Sequence, residues 1–130
     1  MMVLDTDILI DFIRRVEPAT TFVMRLHREG ARLATTSINA AELLRGAQGS
    51  PEARAKAERL LAALEELPFD AVAAQRYGEI MAGLDRAGAP VARSDGLIAA
   101  AALAAGGSLV TRNVRDFRRV PGLQVVTPGK

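Results

Sequence analysis

Short apolar segments of strand length alternate along this chain with longer segments whose apolar residues recur every three or four positions. That alternation restricts the fold more than any other feature. Met2–Leu4, Arg32–Thr35, Leu67–Phe69, Ser108–Thr111 and Leu123–Val126 read as strands. Between the first two lie a helical stretch carrying Ile8, Leu9, Phe12 and Ile13, and a second opened by Pro18 and closed by Gly30, with Phe22, Val23 and Leu26 on one face. Ser37 is placed to cap a helix bearing Ile38, Ala41, Leu44 and Ala47 that stops near Gly49, and Pro51 opens another through Leu64. Ala71–Ala87 brings Tyr77, Ile80, Met81 and Leu84 to one face, and Ser94 or Asp95 caps an alanine-rich helix running to Ala105. Strands separated by helices imply an α/β fold, a parallel sheet with helices on both sides. Residues 1–130 show no internal repeat or linker and are expected to form a single domain.

Composition matters mainly for what it excludes. The chain has no cysteine, so disulfides and thiolate metal sites are out. It has no run of the roughly 20 apolar residues a membrane helix needs. Its start, Met-Met-Val-Leu-Asp, lacks the basic and apolar regions of a signal peptide, and a cytoplasmic location is expected. The net charge of +2 says little about partners. Its distribution says more: Lys56 and Lys130 are the only lysines, and Arg112, Arg115, Arg118 and Arg119 crowd one segment. Arginine forks suit phosphates, yet taken alone the cluster reads as a solvated face.

In open parallel sheets ligands bind beyond the carboxyl ends of the strands. Asp5 ends the first strand, and Thr111 ends the fourth with Asp116 close behind. Four acids stand out, Asp5, Glu42, Asp95 and Asp116, and each has an ordinary explanation. Asp5 could cap a helix, as could Thr6 or Asp7; Asp95 could cap its own; Glu42 could pair with Arg45, and Asp116 with Arg115 or Arg119. Together they weigh differently. Glu42 sits among Ala40, Ala41, Leu43 and Leu44, and Asp95 opens a helix that is almost wholly apolar. Carboxylates gathered at one sheet edge repel by about 4 kcal/mol per pair at ~4 Å and an effective dielectric of ~20, so something positive must join them. Oxygen ligands without histidine or cysteine suit magnesium or manganese. The lone His27 falls on a helix far from these motifs.

The segments Val3-Leu4-Asp5-Thr6-Asp7, Ala41-Glu42-Leu43-Leu44-Arg45-Gly46, Asp95-Gly96-Leu97-Ile98-Ala99-Ala100 and Thr111-Arg112-Asn113-Val114-Arg115-Asp116-Phe117 occur in that order. In this the chain resembles PIN-domain ribonucleases, specifically VapC-type toxins, from residue 3 to about residue 126. The resemblance implies a five-stranded parallel sheet and a magnesium-dependent endoribonuclease, with manganese a possible substitute. It implies Asp5 and Asp95 as metal ligands, Glu42 holding the metal or its water from the facing helix, and Asp116 completing the acidic ring. Thr111 would hydrogen-bond an aspartate from behind, while Thr6 and Asn113 would serve the backbone at the strand ends. Arg112 and Arg115 would contact RNA phosphates. The position of Asp7 is often asparagine in such toxins; here it is read as a helix cap. The partners implied are an RNA substrate, a second copy of the chain, and a VapB-like antitoxin whose flexible tail delivers a cation to the acids. Two other readings remain open: a non-catalytic binding module on the same fold, and a phosphatase-type hydrolase suggested by Asp5-Thr6-Asp7, for which Lys56 and Lys130 are poorly placed.

Overall fold

The computed structural model describes residues 1–129; Lys130 lies outside them. The elements are β1 (Met2–Leu4), α1 (Thr6–Ile13), α2 (Ala19–Arg28), β2 (Leu33–Thr36), α3 (Ser37–Gly46), α4 (Pro51–Ala62), β3 (Glu65–Leu67), α5 (Ala71–Ala87), α6 (Arg93–Ala104), β4 (Ser108–Val110), α7 (Val114–Phe117) and β5 (Val125–Val126). All neighbouring strands are parallel, in the order β3-β2-β1-β4-β5. The expected five-stranded α/β sheet is therefore present.

Strand side chains alternate between faces, and this sets two cores. Val3 and Leu109 point into one, with Ile80, Leu84, Ile98 and Phe117 from α5, α6 and α7. Leu4 and Val110 point into the other, with Ile8, Leu9, Val23, Leu43 and Ala57 from α1 to α4. Successive crossovers build outward from β1 to β2 and β3, and the next, through α5 and α6, returns past both to place β4 on the other side of β1. The direction of winding reverses between β1 and β4, which leaves a crevice at their carboxyl ends.

Several boundaries differ from the sequence reading. The third strand is Glu65–Leu67, not Leu67–Phe69. It is an edge strand, where charge is tolerated: Glu65 pairs with Arg32 at 2.8 Å and Glu66 accepts from Ser37 Oγ. Phe69 packs instead against the core, edge-on to Tyr77. Thr36, not Ser37, caps α3, and neither Ser94 nor Asp95 caps α6, whose N-cap is Ala92. The short helix α7 has no counterpart in the sequence reading. No helix among the described residues is long and apolar enough to cross a membrane.

Candidate active site

The crevice between β1 and β4 gathers acids from separate elements. Asp5 follows β1 and caps α1, accepting from Thr6 N at 2.8 Å. The capping role proposed for Asp7 is therefore filled by Asp5. Asp7 instead turns toward the β4 side, where its Oδ2 accepts from the backbone N–H of Arg112 at 2.9 Å. Glu42 comes from α3, Asp95 from the first turn of α6 and Asp116 from α7.

Asp5 is 7% exposed and fully engaged. Its Oδ1 also accepts from Asn39 Nδ2 at 2.9 Å, and its Oδ2 from Thr111 Oγ1 at 2.6 Å. Thr111 thus bonds an aspartate at the end of β1. Burial pushes the Asp5 carboxyl up from its ordinary value, and nearby Glu42 adds to this; the three hydrogen bonds pull the other way. Burial and the neighbouring Asp5 likewise raise Asp7. Asp95 is raised to about 6, first by burial and then by Asp5, Asp116, Glu42 and Asp7 in turn. The other four acids are therefore all within electrostatic reach of Asp95.

Thr6 and Asn113, read from sequence as backbone supports, touch the acids directly. Thr6 Oγ1 donates to Glu42 Oε1 at 2.5 Å, and Asn113 Nδ2 donates to Asp95 Oδ2 at 3.3 Å. Glu42 thus meets Thr6, across the gap between α3 and α1. Asp116 stands 3.8 Å from Arg119. Arg112 reaches Asp11, with its Nε 2.9 Å from Oδ2, while Arg115 and Arg118 are exposed. His27 is exposed on α2.

Asn39 and Asp11 are buried polar residues that sequence reasoning missed. Asn39 lies three positions before Glu42, and Asp11 four positions after Asp7. Asn39 shares a helix face with the candidate acid Glu42, and that spacing was the available signal; Asp11 shares one with Asp7, which the sequence reads as a cap.

The donor set fits a hard divalent cation. Every candidate ligand is a carboxylate, and Asp7 Oδ1 is buried with no hydrogen-bond partner among the described residues. The acids raise one another's affinity for protons, and Asp95 feels the other four. Among the described residues, no three acidic or histidine side chains are yet close enough to cage an ion. The carboxylates sense each other's charge but rest on hydroxyls and amides.

Known proteins resemble this chain along most of its length. Residues 2–123 match the family profile described as PIN domain. The chain is 38% identical over 104 residues to a tRNA(fMet)-specific endonuclease VapC of Salmonella typhimurium, spanning 78% of this chain and 79% of that one. Its fold is similar to that in a crystal structure of VapBC2 from Rickettsia felis bound to a promoter DNA fragment, with a TM-score of 0.88, 29% identity and 98% of each chain covered. It is also similar to that in DNA-bound VapBC from Salmonella typhimurium, with a TM-score of 0.87 and 34% identity, covering 97% of this chain and 96% of the other.

Proposed function

The chain belongs to the PIN-domain family, as a VapC-type toxin, and on that premise we propose that it is a magnesium-dependent endoribonuclease acting in the cytoplasm. The observation that carries the reading is the crevice at the winding reversal, where Asp5, Asp7, Glu42, Asp95 and Asp116 share one electrostatic neighbourhood. Such a site attracts a divalent cation and repels a bare phosphodiester, so RNA would bind with the cation already in place.

Asp5 and Asp95 would hold the ion, with Glu42 and Asp116 completing the ring. A bound divalent ion supplies a water of lowered pKa and offsets the charge on the phosphate. The protein's own part is orientation. Thr6 N, Asn39 and Thr111 hold Asp5 by both carboxylate oxygens, leaving it little freedom to turn. Thr6 keeps Glu42 facing it. Arg115, exposed and next to Asp116 in sequence, would meet a phosphate, whereas Arg112 must share its guanidinium with Asp11.

The partner reading rests on relatives crystallised as VapBC complexes. A groove of about 370 Å³ lies between α1, α3 and α4, walled by Ile10, Ile13, Leu43, Ala47 and Ala53, and Glu42 lines it. An amphipathic antitoxin tail seated there would end within reach of the acids and could place a cation among them. A second copy of the chain completes the assembly that the family resemblance implies.

The test is to sequence RNA 5′ ends after brief expression in cells, alongside cleavage by the purified protein with magnesium and with chelator. Wild type should create discrete new ends, magnesium should be required, and Asp5→Asn should lose about a thousandfold in rate, near 4 kcal/mol at about 1.4 kcal/mol per tenfold. Equal cleavage by wild type and Asp5→Asn would overturn the assignment.

A further inference from the structure

We infer that Asn39 is a positioning residue of this site: its amide fixes Asp5 and, through Thr6, Glu42, so that acids from two different elements meet a divalent cation already aimed. The inference rests on the metal-dependent reading above and assigns a role to a residue outside the acidic set.

Asn39 is completely buried. Its Oδ1 faces Thr36, accepting from the hydroxyl at 2.7 Å and from the backbone N–H at 3.4 Å. A backbone N–H can only donate, so the atom facing it must be the amide oxygen, and this fixes which way round the amide lies. The nitrogen then faces the site. One of its hydrogens goes to Asp5 Oδ1 at 2.9 Å and the other to Thr6 Oγ1 at 2.8 Å. Having accepted from Asn39, the Thr6 hydroxyl spends its own proton on Glu42 Oε1. The donations run one way, from the start of α3 through Asn39 and Thr6, and end on two carboxylates.

A simpler account makes Asn39 the third residue of a capping box with Thr36, and that box is present. A box uses only an acceptor at this position, and glutamate or glutamine is its usual residue. It makes no use of two buried N–H donors pointing away from the helix start. Those donors are what an asparagine adds, and both end at the site. Buried polar groups that orient metal ligands commonly change metal affinity by about 10–100-fold when removed.

The experiment compares the full chain with Asn39→Leu, Thr6→Val and Thr35→Val. Thr35 is the control: it is buried, and its hydroxyl donates 2.7 Å to the carbonyl of Leu4, a backbone atom rather than an acid. Two midpoints are read for each protein, magnesium against cleavage rate and manganese against melting temperature without RNA, together with KM and kcat at saturating metal. Asn39→Leu is expected to raise both metal midpoints about tenfold or more, with KM for RNA within about twofold. Thr6→Val should raise them less, and the double variant should fall short of the product of the two because both act through one chain of bonds. Thr35→Val should lower the melting temperature and leave both midpoints in place. If Asn39→Leu behaves like Thr35→Val, losing stability alone, the inference is wrong. Should Asn39→Leu not fold, Thr6→Val decides by the same midpoints, and unchanged values overturn the inference. Failure of the underlying reading shows separately, as a wild-type protein that neither cleaves RNA with metal nor is stabilised by it.

Discussion

At the scale of a single residue, Asp95 carries the sharpest consequence. Its pKa stands at about 6 against an ordinary 3.8 because burial disfavours its charged form and four neighbouring carboxylates add to this. The folded chain therefore holds that proton more tightly than the unfolded chain does. The resulting stabilisation is full below the ordinary value and is lost as pH rises through about 6. Melting of the metal-free protein should accordingly weaken from pH 4 to pH 6.5, and Asp95→Asn should flatten that slope. Magnesium should restore stability at neutral pH in wild type and much less in the variant. Equal magnesium stabilisation of both proteins would remove Asp95 from the ligand set. Single residues also mark where the sequence could and could not be read. The four acids stood out because a carboxylate in an apolar helix or at a strand end requires a reason. Asn39 did not, since an asparagine near a helix start is satisfied on paper by capping alone, and only the tertiary structure reveals its second pair of bonds. Asp7 misled for the same reason: three capping residues stood in a row, and sequence could not say that Asp5 would cap and also face the site.

Among the elements, the pair α5 and α6 depends on one small residue. A Cβ on Gly96 would lie 2.5 Å from Met81 Sδ and 3.1 Å from Tyr77 Cε1, so the two helices approach as closely as they do because position 96 has no side chain. Gly96 follows Asp95 directly, and the same close packing sets where that acid emerges. Gly96→Ala should cost about 1–3 kcal/mol through overpacking, lowering the melting temperature by several degrees, and Met81→Ala should recover part of the loss. A melting temperature unmoved by Gly96→Ala would show that Met81 swings aside freely. Elements also differ in how legible they were. The bounds Ala71–Ala87 agree between sequence and structure, since the periodic apolar face shows in the sequence and Gly88 ends the helix in the left-handed conformation; the structure adds Asp70 as its cap. The third strand was misplaced because its partner, not its own residues, makes Glu65 and Glu66 extended; β3 pairs with β2 through residues 34–36. The helix α7 is a single turn, too short for any periodicity to show.

For the whole molecule, the groove beside Glu42 offers a way to test the proposed antitoxin site apart from the proposed cleavage. Ala53 lines it from α4 and makes no hydrogen bond to any of the acids. Ala53→Glu should therefore leave metal-dependent cleavage within about twofold while weakening the antitoxin, by placing a charge against the apolar face of its tail. In cells, co-expressed antitoxin should rescue growth from the wild-type chain and fail to rescue it from the variant. Rescue of both would place the inhibitor elsewhere.

The order of the strands also has a consequence in time. β1 lies at the centre of the sheet, yet one of its two neighbours, β4, pairs with it from more than a hundred residues further along, Val3 opposite Leu109. A chain emerging from the ribosome can assemble β1, β2 and β3 with their helices while the crevice still lacks one wall. Asp5 then has neither Thr111 to hold it nor Asp95 opposite, because both belong to the last third of the chain. Contacts so distant in sequence also form slowly. Translation of this chain thus yields no complete site until its final segments are out and docked, and the proposed cleavage of RNA would begin only when synthesis is nearly finished.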